Sequence, residues 1–419
     1  MIKTKETREK IPVENLVKGL YVDLELGWDE HPFMFSRFKI KSDKDLLAIR
    51  NLGLKDITVI SSRSDVGVPD SKSEDVSAGQ DNTLEELWQS KNAQVEEARH
   101  FRDKRRDVAK RYQQQAQKVQ KIVSELKAQP ANAIHNVDNV VEDLTANFAG
   151  QSDMLTNLVN LGGGAHTAYN HAINVTMLSL MLGNAEGLSK DELQQLGIGA
   201  LLHDMGKIEI SNSITMKKGR LTRAEEQVLE RHTLLGRKLA ERVRDLPEAT
   251  LEILEQHHEF LDGSGYPHGL TGPKLSKRVR IVTMVNIYDN LCNPADPADA
   301  VTPKTAMAMM YSKYKDKLDR QLVERFIQAL GVYPPGTVVR LSDDSIGLVI
   351  TADPKALLQP EVLVYNPDIP KDKALIVDLK EHTDLSITDV LRPGDYPSRI
   401  YEYLGIQERL GYFVENRPS

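Results

Sequence analysis

The sequence contains one cysteine and no long apolar run. Cys292 stands alone among 419 residues, which excludes an intramolecular disulfide and a zinc site built from cysteine thiolates. No apolar stretch approaches the roughly 20 residues that span a bilayer, and the opening MIKTKETREK has no apolar signal core. From these absences we expect a cytoplasmic protein without a membrane span.

The sequence also lacks an excess of positive charge. Its formal net charge of −7 argues against non-specific binding of DNA or RNA, which requires positive side chains that neutralise phosphates. We therefore expect neither as a partner. A small anionic ligand stays compatible, because one pocket of an acidic protein can still be positive. The composition, 40% hydrophobic and 27% charged, is typical of a globular protein, and the length allows two or three domains.

The amino-terminal part of the chain predicts a small mixed α/β module over residues 1–60. Alternating apolar residues around Val22 predict a strand with one buried face, and Ser42 with Asp45 resembles a capping box that opens a short helix. Residues 61–83 contain no Leu, Ile or aromatic residue, so they cannot bury enough apolar surface to offset the entropy of ordering. We interpret them as a flexible linker.

Residues 84–128 predict a long helix, because they are rich in helix formers and contain neither Gly nor Pro. One apolar stripe follows this helix: Val108, Tyr112, Ala116, Val119, Val123 and Leu126. The stripe has two interpretations, a coiled coil that forms a homodimer or a helix that lies on its own catalytic domain. Few heptads are sustained, which favours the second.

The rest of the chain changes character at Gly331. Residues 129–330 show apolar residues at helical spacing with short connections, whereas 331–419 contain β-branched runs separated by turn residues. We therefore predict a mainly α fold, in which a helical bundle carries a mixed module before it and a small antiparallel β appendage after it.

A cluster of histidines in the helical region points to chemistry. This set comprises five of the eleven histidines of the chain and one aspartate: His171, His203, Asp204, His232, His257 and His258. An adjacent His-Asp pair at a helix end can direct a ring nitrogen and a carboxylate to one point, and a bridging carboxylate can serve two metals. A helical bundle that points several imidazoles inward is a common way to build a metal site.

These residues resemble a known family. His171, HDMGK at 203–207, His232, HHE at 257–259 and DGSGYP at 262–267 occur in the order and near the spacing of the HD-GYP branch of the HD phosphohydrolase superfamily. The first 60 residues resemble a small module often found ahead of HD-GYP domains. The resemblance implies an all-α HD-type helical bundle that holds two divalent metal ions and hydrolyses cyclic di-GMP to pGpG or GMP.

The resemblance also implies individual roles. The five histidines named above would be metal ligands, together with Asp204 as the bridging and catalytic carboxylate. Lys207 resembles the lysine that contacts the scissile phosphate, and Gly265, Tyr266 and Pro267 resemble the signature loop beside the substrate. A mixed nitrogen and oxygen ligand set without thiolate suits iron or manganese.

Three positions depart from the family pattern. Asn286 stands where a metal-binding aspartate is expected, so one metal should be held more weakly, although an amide oxygen can still coordinate. Asp289, on the same helix, could replace that ligand only in part. Thr167 stands where a third-metal glutamate is expected, which limits the site to two metals, and the segment 292–297 lacks the family's arginine.

Two main functions follow from this pattern, and a third, an HD hydrolase that acts on a different cyclic dinucleotide or on a phosphomonoester, is less favoured. The first is a cyclic di-GMP phosphodiesterase whose binuclear site is weakened at Asn286. The second is a degenerate HD-GYP domain that binds a nucleotide or a signalling protein partner and regulates without turnover. The intact histidines with Asp204 and Lys207 favour the enzyme, whereas Asn286 and the missing arginine favour the regulator.

Overall fold

The structure is a computed structural model that describes residues 7–69, 82–125, 129–148, 168–217, 219–242, 246–294, 296, 299–392 and 395–406. The chain divides into two compact units. The first comprises Met1–Arg102 with Asn366–Ile376, and the second comprises Asp103–Tyr365 with Val377–Ser419.

The strands and helices follow one another in an order that separates β-rich ends from a helical middle. The strands are β1 (Arg8–Pro12), β2 (Tyr21–Asp23), β3 (Arg37–Lys39), β4 (Asp56–Ile60), β5 (Val338–Leu341), β6 (Ile346–Val349), β7 (Glu361–Tyr365), β8 (Leu375–Asp378) and β9 (Ile387–Val390). The helices are α1 (Asp43–Arg50), α2 (Asn82–Glu125), α3 (Pro130–Phe148), α4 (Ala168–Ala185), α5 (Lys190–Leu202), α6 (Asn212–Thr215), α7 (Arg223–Glu230), α8 (His232–Ala240), α9 (Glu248–Gln256), α10 (Lys277–Cys292), α11 (Pro303–Ser312), α12 (Arg320–Leu330) and α13 (Ser398–Leu404).

The first unit contains an antiparallel sheet in the order β1-β4-β2-β3. Val22 of β2 and Val59 of β4 face each other across the ladder and are fully buried, as the alternating pattern predicts. Helix α1 begins with the predicted capping box, in which Ser42 and Asp45 each accept the other's backbone N–H. Of the expected linker, Val68 packs on this core, and residues 70–81 lie outside the described part.

Helix α2 begins at Asn82, two residues before the expected start. In the second unit, Val108 and Val119 of its apolar stripe are buried, and the Tyr112 hydroxyl donates to Asn174 Oδ1 at 2.8 Å. The stripe is therefore covered by its own chain, which favours the interpretation of a helix lying on its own domain. Leu126 falls outside the described residues, and dimerisation stays a prediction.

Two helices form the centre of the second unit. Helix α4 is buried without interruption from His171 to Leu180, and α10 is buried from Ile281 to Asn286. A helical stretch that is buried on every side lies inside the fold, so α4 and α10 form the middle of the bundle. Helix α4 packs against α5 and α10, and α9 packs against α5 and α8.

The carboxy-terminal sheet has the order β8-β7-β6-β5-β9. Strands β5 and β6, β6 and β7, and β5 and β9 pair antiparallel. The expected fold class is confirmed: a mainly helical chain with an HD-type bundle and small antiparallel sheets at both ends. Across the residues that are described, no helix combines the length and the apolarity that crossing a membrane requires.

Candidate metal centre

Helix ends deliver most of the predicted site residues to one place. His203 directly follows α5, His232 is the first residue of α8, and His257 and His258 directly follow α9. His171 differs, because it projects from the first turn of the buried helix α4. His203, His232 and His257 are at most 1% exposed.

One glycine, Gly206, allows two of these segments to approach closely. Asp204 is followed by a short 3-10 helix, Met205–Glu209, which packs against α8. A Cβ at Gly206 would lie 1.9 Å from the His232 carbonyl oxygen and 2.5 Å from the Gly236 nitrogen. The backbone that carries Asp204 can therefore meet the backbone that carries His232 only because residue 206 has no side chain.

The ring nitrogens of the histidines face one another in pairs. His171 Nε2 lies 3.2 Å from His203 Nε2, and His232 Nε2 lies 3.2 Å from His257 Nε2. The His258 ring centroid is 4.3 Å from that of His257. The structure thus brings together all five histidines that the sequence predicts.

The other ring nitrogen of each histidine fixes where the proton sits. Nδ1 of His203 lies 2.7 Å from the Ala200 carbonyl oxygen, and Nδ1 of His232 lies 2.7 Å from the Leu229 carbonyl oxygen. A carbonyl oxygen only accepts, so each Nδ1 must carry the hydrogen, which leaves Nε2 of a neutral ring as a lone pair.

The same assignment holds for the remaining rings of the two pairs. His257 Nδ1 faces the carbonyl oxygens of Ile253 and Leu254 at 3.2 and 3.1 Å, and His171 Nδ1 faces Asp289 Oδ2 at 2.7 Å. Both pairs of Nε2 atoms therefore present lone pairs to each other without a proton between them. Such an arrangement is unfavourable by itself and becomes favourable when a cation accepts both lone pairs.

Asp204 belongs to both halves of the cluster. Its carboxylate groups with His171 and His203 on one side and with the other three histidines on the other, each set lying within 4.8 Å. Asp204 Oδ1 is buried and receives no hydrogen bond, and it lies 3.3 Å from His232 Nε2. An unsatisfied buried carboxylate oxygen among lone pairs fits a cation site, since metal coordination would satisfy all of these atoms.

Burial keeps the imidazoles neutral. It lowers the pKa of His203 to about 4, although the adjacent Asp204 acts in the opposite direction. It also lowers the pKa of His232, and it lowers the pKa values of His257 and His258 well below their usual range with help from the neighbouring rings. Metal binding requires unprotonated rings, so the fold prepares these ligands at neutral pH.

Asp204 is held as the anion. Burial by itself raises the pKa of Asp204, but the Lys207 ammonium and the surrounding imidazoles outweigh burial and bring that pKa well below its usual range. Lys207 Nζ donates to Asp204 Oδ2 at 2.6 Å, while its side chain remains 38% exposed. Lys207 therefore lies beside the cluster, and its ammonium group remains accessible to an anion from solvent.

Asn286 and Asp289 occupy different positions on helix α10. Asn286 is buried and its Oδ1 accepts a hydrogen bond from Asn290 Nδ2 at 2.8 Å. Asp289 is fully buried and receives hydrogen bonds from His171 Nδ1, Asn174 Nδ2 and Asn293 Nδ2. Asp289 contacts the outer nitrogen of His171, so it orients this ring.

The loop that carries Gly265, Tyr266 and Pro267 closes over one side of the cluster. A Cβ at Gly265 would lie 2.4 Å from the His258 carbonyl oxygen, so the loop can take this path only with glycine. The Tyr266 ring stacks on His258 with centroids 4.6 Å apart, and the Tyr266–Pro267 peptide is cis. Burial raises the pKa of Tyr266, which keeps its hydroxyl protonated.

Sequence reasoning missed the residues that support the cluster. Glu259, 1% exposed, accepts the backbone N–H groups of His268 and Leu270 and thereby ties the loop down. Asn174, one turn after His171 on α4, gave no signal because a lone asparagine in an apolar helix has many explanations. Thr167 lies outside the described residues, as do positions 295 and 297 of the segment that lacks an arginine.

Two protein-family models and several curated proteins match this chain. A family model described as a domain of unknown function, DUF3391, matches residues 8–137, and the HD domain model matches residues 151–322. The chain is 26% identical to the cyclic di-GMP phosphodiesterase PA4108 of Pseudomonas aeruginosa over 85% of each chain.

Two further matches cover a smaller part of the chain, and one of them also has a lower sequence identity. The chain is 35% identical to the cyclic di-GMP phosphodiesterase response regulator RpfG of Xanthomonas campestris over 34% of this chain and 38% of that protein. A solved structure described as Bd1817, a HDG"Y"P protein from Bdellovibrio bacteriovorus, covers 76% of this chain and 98% of its own, with 16% identity and a TM-score of 0.46. The DUF3391 and HD domain models in this order, together with relatives named as cyclic di-GMP phosphodiesterases, are consistent with an HD-GYP family protein.

Proposed function

We propose that this protein is a metal-dependent phosphodiesterase that hydrolyses cyclic di-GMP to pGpG, to GMP or to both. The observation that carries the proposal is the position of Asp204, one carboxylate within reach of two separate sets of histidine nitrogens. The names of the relatives PA4108 and RpfG support the substrate.

Two divalent cations, iron or manganese, fit the donors. One would be held by His171 and His203 with the Asn286 amide oxygen, the other by His232, His257 and His258, and Asp204 would bridge them. Imidazole and carboxylate donors suit these metals, and no cysteine belongs to either set found among the described residues.

The two sites would differ in strength. The set around His232 offers four ligand atoms, one of them from Asp204, whereas the set around His171 offers three, one of them again from Asp204. The fourth donor of the weaker set would be the Asn286 amide, which carries no charge and already accepts a hydrogen bond from Asn290. We infer that the set around His171 releases its metal first.

The chain's own residues bind and orient the substrate. When bound, the cations would supply Lewis-acid stabilisation of the phosphodiester and activation of a water. Lys207 is placed to turn its partly exposed ammonium from Asp204 to a phosphate oxygen of the dianionic substrate. Tyr266 offers a protonated hydroxyl beside His258, and Gly265 and Pro267 hold that ring in place.

One observation, the neutral residue at position 286, supports a second function, which is regulation without turnover. The neutral Asn286 would bind metal more weakly than an aspartate, so the set of ligands that includes His171 would often lack its metal. A site with one metal would bind the dinucleotide without hydrolysing it. Binding of cyclic di-GMP or of a signalling protein would then be the output.

The test is turnover and metal content measured on the same preparation. The full chain, purified with Mn²⁺ or Fe²⁺, should hydrolyse cyclic di-GMP and contain close to two metals. His203→Ala and Asp204→Ala should each lower turnover by about a thousandfold or more, since several kcal/mol of charge stabilisation is lost. His135→Ala, an exposed histidine on α3, serves as the control and should match the wild type.

The alternative has its own signature. Cyclic di-GMP binding that persists in a chain with one metal or none, together with no product, would replace the enzyme by the regulator. Turnover that survives Asp204→Ala would refute the bridging role of that carboxylate.

A further inference from the structure

A continuous line of hydrogen bonds connects helix α2 to the candidate metal centre. The Tyr112 hydroxyl donates to Asn174 Oδ1 at 2.8 Å, and Asn174 Nδ2 donates to Asp289 Oδ1 at 2.9 Å. Asp289 Oδ2 accepts from His171 Nδ1 at 2.7 Å, and the opposite nitrogen of this ring faces His203. Each member of the line is in the second unit of the chain.

The direction of every bond in the line is determined. Asp289 as a carboxylate only accepts, so Asn174 must turn its amino group toward Asp289 and its carbonyl oxygen toward Tyr112. That oxygen then needs a donor, and the Tyr112 hydroxyl supplies it. Burial and Asp289 raise the pKa of Tyr112, which keeps the phenol protonated.

The inner members of the line lie away from water. Asp289 is fully buried, and His171 and Asn174 are at most 6% exposed. In such surroundings hydrogen-bonded groups polarise one another, and an unsatisfied oxygen is costly. If Tyr112 moves, the buried Asn174 Oδ1 loses its donor, so the Asn174 side chain and its hydrogen bond to Asp289 are held less firmly.

We propose that Tyr112 is a positioning residue for the metal ligand His171, acting through Asn174 and Asp289. A carboxylate on the outer nitrogen of a ligand histidine fixes the ring and makes the inner nitrogen a better donor. The proposal rests on the metal-binding part of the proposed function.

The proposal gives the DUF3391 stretch a structural part in the site. Tyr112 falls within residues 8–137, which the DUF3391 model matches, whereas His171, Asn174 and Asp289 fall within the HD match at 151–322. The line orients His171, which belongs to the set with three ligand atoms. This set should bind metal more weakly than the set with four, so the orientation of each of its ligands should matter more.

The experiment compares Tyr112→Phe, Asp289→Asn and the control Tyr396→Phe in the full chain. Tyr396 is buried and its hydroxyl is hydrogen-bonded to Tyr401, so Tyr396→Phe also removes one hydrogen-bonded hydroxyl, from the carboxy-terminal segment. The readouts are the Mn²⁺ dissociation constants from titration of metal-free protein and the ¹⁵N shifts of the His171 ring without metal.

Tyr112→Phe should weaken the weaker Mn²⁺ site by about threefold to tenfold, and Asp289→Asn by about tenfold to a hundredfold, the range known for residues behind metal ligands. Both should shift the His171 ring away from the form protonated at Nδ1. Tyr396→Phe should change neither readout, even where it lowers the melting temperature as much as Tyr112→Phe does.

The result that overturns the proposal is a Tyr112→Phe chain whose Mn²⁺ affinity and His171 shifts equal those of Tyr396→Phe while Asp289→Asn alters both. A wild-type chain that binds no Mn²⁺ contradicts the proposed function instead. In that case the ring shifts of the metal-free protein still decide whether Tyr112 orients His171.

Discussion

Three of the site histidines are aimed by the helix that precedes them. His203, His232 and His257 each place Nδ1 against the carbonyl oxygen of the residue three positions earlier, in the last turn of a helix. Carbonyls in the last turn of a helix can accept a further hydrogen bond, so each ring uses one of them and at the same time turns Nε2 toward the cluster. The hydrogen bond from Nδ1 therefore both caps the end of the helix and orients the ring as a ligand.

The residue at position 286 should set how much metal the chain holds. Asn286→Asp adds a charged oxygen donor to the three-donor set around His171, so the metal content should rise from about one to about two per chain at limiting Mn²⁺. Mass spectrometry of metals after dialysis measures this occupancy. Wild-type chains that already retain two metals at limiting Mn²⁺ would refute the weakness assigned to Asn286.

A matched variant separates ligation from added negative charge. Asn184→Asp introduces the same charge at an exposed position near the end of α4, the helix that also carries His171. It should leave metal content near the wild-type value. An equal gain in both variants would mean that general electrostatic attraction, and not coordination at position 286, raises the occupancy.

At the scale of elements, the contact between the 3-10 helix Met205–Glu209 and α8 decides whether the two halves of the cluster meet. Asp204 precedes the one element and His232 opens the other. The Gly206 Cα lies in contact with backbone on the α8 side, where a methyl group has no space. The site geometry therefore depends on a backbone contact as well as on its ligands.

Gly206→Ala should weaken both folding and metal binding. The new Cβ would meet backbone atoms that cannot rotate away, so the free energy of unfolding should fall by about 1–3 kcal/mol or more. The four-donor set should lose Mn²⁺ affinity because His232 is displaced from Asp204. Urea unfolding and Mn²⁺ titration measure the two effects.

Gly67→Ala is the control for this substitution. A Cβ at Gly67 would have nothing within 4 Å, so its effect on unfolding should stay within about 0.5 kcal/mol. A Gly206→Ala chain as stable as the control, with unchanged affinity, would mean that the backbone contact does not hold the two halves of the cluster in place.

Much of this architecture could be predicted from the sequence because its signals are local or carried by motifs. Signals within a few residues of one another predict the capping box at Ser42, the helix α5 and the HD and HHE motifs. The supporting contacts could not be predicted. Asn174 and Asp289 are far apart in sequence, and only the packing of α4 on α10 brings their side chains together.

At the scale of the whole molecule, each unit contains its own buried titratable groups. In the first unit His31 is fully buried, and burial together with Lys91 lowers the pKa of His31 to about 4. Trp28 and Trp88 are the two tryptophans of the chain and belong to the same unit, so tryptophan fluorescence reports on this unit.

The first unit should lose stability in mild acid because of His31. Below pH 6.5 the unfolded chain binds a proton at this position that the folded chain does not bind until about pH 4. The contribution is complete above pH 6.5 and decreases toward pH 4, by about 3 kcal/mol in all, at 1.36 kcal/mol per pKa unit. Urea midpoints followed by tryptophan fluorescence measure it.

His31→Gln should flatten that pH dependence, since glutamine does not titrate and can still reach Ser36. His100→Gln, at an exposed position of α2 in the same unit, should keep the wild-type slope. Equal slopes in all three chains would assign the acid sensitivity to other groups.

Metal addition should stabilise the second unit selectively, because the proposed ligands all belong to it. At Mn²⁺ concentrations about a hundredfold above the dissociation constant, binding adds about 2.7 kcal/mol, which corresponds to about a hundredfold slower amide exchange in α4, α5 and α9. Peptides from β1 to β4 should exchange at unchanged rates, and Asp204→Ala should abolish the protection. Equal protection of both units would show that they open as one cooperative structure, and protection that persists in Asp204→Ala would place the bound metal elsewhere.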